Sequence, residues 1–318
     1  MSLRLQMLQV ARLAPKVLDH SAELIRTFLR SQMNGDGGFK DRAYKSDLYY
    51  TVFGLDSLIA LDVQHPGSAS QSPELTEVIG RTKRYLRSFD NGAALDFVHL
   101  CCLARCWAAV STPFSTGPSE ADLSGFLERL ENYRTQDGGY NAIAGGQCGT
   151  AYAAFLALGA YQDCRAEMPE YLRLVQSLKH LETPDGAWTN ERPSLHSTLD
   201  PRLSLGSTNA TAAAVTVLRN LDQPLNPAIG DWLLARAHPQ GGFRASPTAP
   251  LPDLLSTATA LHALSGLEVS FAAVKEQCLD FVDSLWTNDG GFYGHWGDDH
   301  LDCEYTFYGL LALGHCAI

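Results

Sequence analysis

The densest run of chemically capable side chains is His295, Asp298, Asp299, His300, Asp302 and Cys303, six potential ligands within nine positions. Carboxylates, imidazoles and a thiolate at that density could hold a divalent cation, with Asp298, Asp299, His300 and Cys303 as candidate metal ligands. The plainer reading is that Asp302 caps the helix that follows, while the other acids favour that helix's positive end. A second set is aromatic: Tyr50, Phe53, Tyr152, Phe155 and Tyr308 recur at helical spacing in apolar segments. Such rings could line a cavity and stack on a ligand or carbocation, or could simply fill a core. His262 and His99 fall in similar segments. Either could act as an acid or base, or contact a substrate, or be a buried and satisfied imidazole.

The elements that must position these residues are set by a repeat. A Gly-Gly-aromatic punctuation, or a close variant, occurs at 37–39, 138–140, 186–188, 241–243 and 290–292, with aromatic-to-aromatic steps of 101, 48, 55 and 49 residues. The first step is two periods, and a worn copy at Asp90-Asn91-Gly92 fills it, giving six repeats. In each, a helix with a charged face comes first: 21–31, 74–88, 123–134, 171–181, 228–237 and 273–286. The glycines end it, because glycine tolerates the left-handed turn at a helix C-terminus. A polar loop and a capping residue then lead into a helix poor in charge: 49–61, 97–110, 150–161, 208–218, 256–267 and 304–313.

Polar-faced helices alternating with apolar ones imply two layers, with the apolar set innermost. Six hairpins can extend as a solenoid or close as a double ring, and neither terminal repeat carries a polar cap, which favours closure. The expectation is an all-α, single-domain (α/α)6 toroid over residues 1–318, with twelve helices. The stretches 111–119 and 246–252, rich in Pro and Ser, read as loops. In a closed ring the first and last repeats are neighbours, so Asp47, before Tyr49 and Tyr50, would lie beside Asp302, before Tyr305.

Composition narrows the partners. The chain has 24 basic and 35 acidic residues, a formal net charge of −11, which argues against a nucleic-acid groove. No apolar run is long enough to span a bilayer, and the N-terminal residues do not read as a secretory signal. Eight cysteines without a CxxC pair suit reduced, packed thiols in a cytoplasmic protein better than a disulfide scaffold.

The turn followed by a helix such as Asp302-Cys303-Glu304-Tyr305-Thr306-Phe307-Tyr308-Gly309 resembles the β-subunit repeat of the terpenoid cyclase and protein prenyltransferase superfamily. Leu251-Pro252-Asp253 is similar to the Rab geranylgeranyltransferase β subunit. The resemblance covers nearly the whole chain and implies an apolar central cavity able to hold an isoprenoid. It implies a catalytic zinc held by Asp-x-Cys and His; here these positions are Asp253, Leu255 and Tyr305. Zinc as the family holds it is therefore not expected, though a divalent cation remains open. Of the diphosphate-binding cations only Arg244 has a counterpart, and the cyclases' Asp-rich acid motif becomes Asp253-Leu254-Leu255-Ser256-Thr257-Ala258. Asp298-Asp299-His300-Leu301-Asp302 does spell the DDxxD string with which class I terpene synthases hold Mg²⁺ and diphosphate, but those enzymes carry it mid-helix in another fold.

Two functions are carried forward. One is an enzyme acting on an isoprenoid or other hydrophobic substrate, with relocated catalytic residues, for which Asp253, Asp302 and Tyr305 are the candidates. The other is a non-catalytic toroid that binds a hydrophobic ligand or a protein partner.

Overall fold

The computed structural model describes residues 1–62, 71–111, 120–192 and 205–318. One turn is reused around the molecule. In it, an aromatic residue bridges back to the residue six positions earlier: Met33 with Phe39, Arg134 with Tyr140, Glu182 with Trp188, Ala237 with Phe243, and Trp286 with Phe292. The turn needs glycine where the chain passes close to its neighbour. Gly37 and Gly290 have φ of 97° and 89°, and a Cβ there would meet the Arg81 and Leu24 carbonyls. The aromatic ring is a wedge: Phe39 lies against Gly54 and Phe292 against Gly309 of the following helix. Its backbone N–H is taken up by a threonine hydroxyl one turn into that helix, Thr51 for Phe39, Thr211 for Trp188 and Thr257 for Phe243. These aromatics are buried, so five of the six repeats are pinned by the same bridge and wedge, three of them with the threonine contact as well.

The inner helices are α4 (Leu48–Leu61), α6 (Phe97–Val110), α8 (Ala151–Asp163), α10 (Thr208–Asn220), α12 (Leu254–Gly266) and α14 (Cys303–Cys316). Each packs on the next, and α14 packs on α4, which closes the ring. The outer layer is α3 (Ser21–Ser31), α5 (Pro73–Arg87), α7 (Glu120–Glu131), α9 (Tyr171–Lys179), α11 (Ala228–Leu234) and α13 (Lys275–Ser284). The fold is thus an all-α toroid of six hairpins, as the repeat implies. Two short antiparallel ribbons join it: β1 (Phe39–Lys40) with β2 (Ser46–Asp47), and β3 (Phe243–Arg244) with β4 (Pro252–Asp253). They tie a wedge to the residue that caps the next inner helix. Of the expected loops, 246–252 runs as turns into β4, and 111–119 lies outside the described residues apart from Ser111.

The inner helices all start at one rim, where Asp47, Asp96, Thr150, Ser207, Asp253 and Asp302 cap them by accepting backbone N–H bonds. The opposite rim is covered by an element the repeat does not contain. Helix α1 (Leu3–Ala11) lies across it, contacting α4, α8 and α14, and a short α2 (Pro15–Leu18) follows. The N–H of Leu3 donates to Gln162 at 2.8 Å, and Gln6 meets Asn220 at 3.2 Å. Helix α1 is therefore a floor, and the ring of caps is a mouth. Among the described residues no helix is long and apolar enough to cross a membrane.

Candidate functional site: a floored central cavity with an acid at its mouth

The ring encloses a cavity of about 330 Å³ lined by all six inner helices and by Leu3, Arg4 and Met7 of the floor. A cavity persists because the inward positions of α8 and α10 are small, among them Gly159, Ala160, Ala212 and Ala213. Aromatic rings of α4 and α14, and of the first turns of α8, line much of the rest. Tyr49, Phe53, Tyr152, Phe155 and Tyr308 all face the cavity. Tyr49 and Phe53 have ring centroids 4.9 Å apart, edge to face, and Phe53 is 5.5 Å from Tyr308. Tyr50 is not in this lining; one residue along the helix turns it outward, toward Arg42 at the rim.

At the mouth, the Tyr49 hydroxyl donates to Glu304 Oε1 at 2.6 Å. Burial among apolar and aromatic groups pushes the Glu304 carboxyl up to about 7, while burial pushes the Tyr49 phenol far above its ordinary value. Tyr49 is therefore a fixed neutral donor, and Glu304 holds its proton up to about neutral pH. This pair joins α4 to α14, the closure of the ring. Nearby, His99 bridges Asp47 at 3.0 Å and Asp96 at 2.9 Å. Its hydrogen bond with Asp47 raises it to about 9, so His99 is a charged tie between α4 and α6.

The acidic segment before α14 is organised by Arg42, 260 residues away in sequence. Arg42 donates through Nε to Asp302 at 2.9 Å and through Nη2 to Asp298 at 3.0 Å, with its guanidinium 5.5 Å from the Tyr305 ring centroid. Burial works upward on Asp298, but the hydrogen bonds from Arg42 hold it below the usual carboxylate range. Asp302 and Asp253 are N-caps, bonded to the N–H groups of Tyr305 and Ser256, and burial raises both.

The six-ligand cluster does not assemble. Cys303 is fully buried with its thiol pushed well up, and Asp302 is taken by Arg42. Asp298, Asp299 and His300 alone bring ligand atoms within 4.8 Å of one another. Asp298 already carries the guanidinium, and Asp299 and His300 are exposed to water. At the family's zinc positions stand a capping carboxylate, the hydrocarbon of Leu255 and the neutral phenol of Tyr305, raised to about 12 by burial. That donor set does not fit tetrahedral zinc.

Deeper in the cavity the lining includes Arg4 and Arg105. Asp56 accepts from Arg105 Nε and Nη2 at 3.0 and 2.9 Å and from Arg4 Nη1 at 3.1 Å, all beneath the aromatic wall. His262 also lines the cavity, its Nδ1 3.1 Å from His315 Nε2; burial, reinforced by Arg219, lowers His262 to about 4. Glu304, Arg42, Asp56 and Arg105 were not singled out by sequence reasoning. Glu304 had a readable signal, a carboxylate in the first turn of an apolar inner helix. Arg42 had none, since its partners belong to the last repeat.

The sequence matches the prenyltransferase alpha-alpha toroid domain over residues 5–80 and 202–316, and the protein belongs to that family. No curated protein matches the chain. Among solved structures, the type II terpene cyclase MstE from Scytonema superposes with a TM-score of 0.60 at 17% identity, covering 94% of this chain and 97% of that one. A variant of that enzyme in complex with geranylgeranyl dihydroxybenzoate gives 0.60 at 15% identity, covering 96% and 97%. Candida albicans protein geranylgeranyltransferase-I complexed with GGPP gives 0.53 at 12%, with 71% of each chain covered. At these identities the likeness is one of fold.

Proposed function

We propose that the protein is a cyclase-like enzyme that folds an isoprenoid chain in the central cavity and protonates it from Glu304. The observation that carries this reading is the hydrogen bond from Tyr49, which lines the aromatic-walled, floored cavity, to Glu304 in the first turn of α14 behind it. A carboxyl that holds its proton near neutral pH is available as a general acid. It delivers that proton to a terminal double bond, or to the oxygen of its epoxide, of the bound chain. As the C–H bond forms the alkene π bond is consumed, or as the O–H bond forms an epoxide C–O bond breaks. Positive charge appears on the adjacent carbon, and a carboxylate is left on Glu304. After ring closure the final cation loses a proton to solvent at the mouth. The Tyr49 hydroxyl already points at that carboxylate and stabilises it as it forms. The faces of Phe53, Tyr152, Phe155 and Tyr308 stabilise the cation and exclude water that would quench it.

Prenyl transfer to a thiol is less well supported. Arg42 at the mouth is committed to Asp298 and Asp302, and His99 to Asp47 and Asp96, so neither stands free for a diphosphate. Relatives of known structure hold geranylgeranyl compounds, which supports an isoprenoid as the occupant. The eight unpaired thiols accord with a cytoplasmic setting.

The test is incubation in D₂O with geranylgeraniol and with its terminal epoxide, followed by mass spectrometry of the extracted lipids. The expected result is a cyclised product, carrying carbon-bound solvent deuterium when it forms from geranylgeraniol and a new hydroxyl when it forms from the epoxide, made at least about 100-fold more slowly by Glu304→Gln. Recovery of unchanged prenoid that is nevertheless bound in stoichiometric amount would overturn the enzyme reading. It would leave the toroid as a non-catalytic holder of a hydrophobic ligand or a protein partner.

A further inference from the structure

The cavity floor carries polar groups that the proposed proton transfer does not use. Arg4 enters from α1 and Arg105 from α6, and both meet Asp56. Asp163, the last residue of α8, completes the group, 3.8 Å from Arg4 Nε, beyond hydrogen-bond reach. Among the described residues Asp163 has no side-chain hydrogen bond, although its side chain is only 4% exposed and it lines the cavity. Arg4 Nε also lacks a hydrogen-bond partner, but it is sealed within the group and does not open to the cavity. Buried polar groups are almost always satisfied, so a carboxylate that lines the cavity without a hydrogen bond calls for a donor on whatever occupies that cavity.

We infer that the floor is a subsite for the hydroxyl head of an isoprenoid alcohol or phenol, which donates to Asp163. A hydroxyl supplies the donor that Asp163 lacks, whereas a hydrocarbon end supplies none. A diphosphate brings several negative charges against two carboxylates and finds the guanidinium groups already paired with Asp56, so it is excluded from this end. The subsite also fixes direction. From Tyr152 at the mouth to Asp163 at the floor is eleven residues of α8, about 16 Å at 1.5 Å per residue. An alcohol held at the floor therefore sends its hydrocarbon tail up the aromatic wall toward Glu304. This inference rests on the proposed function for that direction, and it names the substrate class.

The test measures affinities of the full chain for geranylgeraniol, geranylgeranyl diphosphate and the hydrocarbon squalene by native mass spectrometry. The wild type and Asp163→Leu are compared. Asp163 makes no hydrogen bond but balances the charge of Arg4 3.8 Å away, so Asp163→Asn, which keeps the side-chain shape, serves as the conservative control, and unchanged squalene binding shows that Asp163→Leu keeps its cavity. The expected result is preferential binding of the alcohol, a loss of about tenfold or more in Asp163→Leu, and unchanged squalene binding. Part of the loss is recovered in Asp163→Asn. Equal binding of the alcohol by both proteins, or equal wild-type affinity for all three probes, would overturn the subsite. Asp163-dependent alcohol binding without any cyclised product would leave the subsite standing and sink the proposed reaction. Glu304-dependent turnover with no effect of Asp163 would do the reverse. A wild type that binds no prenoid would overturn both.

Discussion

Replacing Glu304 by glutamine separates the acid's ionisation from its hydrogen bond, because a glutamine oxygen still accepts from Tyr49. In the folded chain burial raises Glu304 from 4.5 to about 7, whereas in the unfolded chain it titrates near the ordinary value. Below pH 4.5 both states keep the proton and ionisation costs nothing. Between 4.5 and 7 the unfolded chain loses its proton while the folded one retains it, so wild-type stability declines as pH rises. Above 7 both are ionised and the full penalty is in place. At 1.36 kcal/mol per unit that penalty is about 3 kcal/mol, an upper figure because Glu304 keeps some contact with water. Glutamine carries no such term. The stability difference, Glu304→Gln minus wild type, should thus grow by about 2–3 kcal/mol from pH 4.5 to 7.5 in urea titrations. A difference that stays flat within about 0.5 kcal/mol would mean that Glu304 ionises normally, and the argument for it as the acid would fail.

The remaining predictions concern what holds the cavity open. Arg105→Met removes two of the three hydrogen bonds to Asp56, a carboxylate only 1% exposed, and should cost about 3–5 kcal/mol in chemical denaturation. Adding Asp56→Leu should restore much of that, since no buried charge is then stranded. His99 contributes stability through Asp47 and Asp96 that is complete below about 6.5 and is lost as pH rises through about 9; His99→Gln should flatten thermal stability across that interval. Gly54→Ala places a methyl group against the Phe39 ring and should destabilise by about 1–3 kcal/mol, whereas Gly80→Ala, where a Cβ meets nothing, should be neutral or stabilising by melting temperature.

The repeat made the ring legible because the same local problem is solved again and again. A glycine with positive φ, an aromatic wedge and a capped apolar helix are local features, and local features are written contiguously in sequence. Closure was also legible, since two end repeats without polar caps must bury their faces on one another. The inward positions of Phe53, Tyr152, Phe155, His262 and Tyr308 follow from helical period, yet the same period gave no reason to turn Tyr50 away from the cavity. Only the curvature of the ring decides which of two adjacent aromatics points inward.

Charge was where sequence reading fell short. The segment from His295 to Cys303 looks like a ligand cluster only while its residues are counted along the chain. In three dimensions Cys303 packs into the core and Arg42, from the first repeat, occupies Asp298 and Asp302. The floor was equally invisible, because α1 belongs to no repeat and Arg4 finds Asp56 and Asp163 across 52 and 159 residues. The sequence by itself determined the hairpins, their number and their closure into a toroid, all products of short-range backbone preference and hydrophobic period. The tertiary structure alone decided which ionisable groups are buried, which pairs they form and where their protons sit. Those properties depend on the solvent and charge that distant segments bring to a site, and no local pattern encodes them.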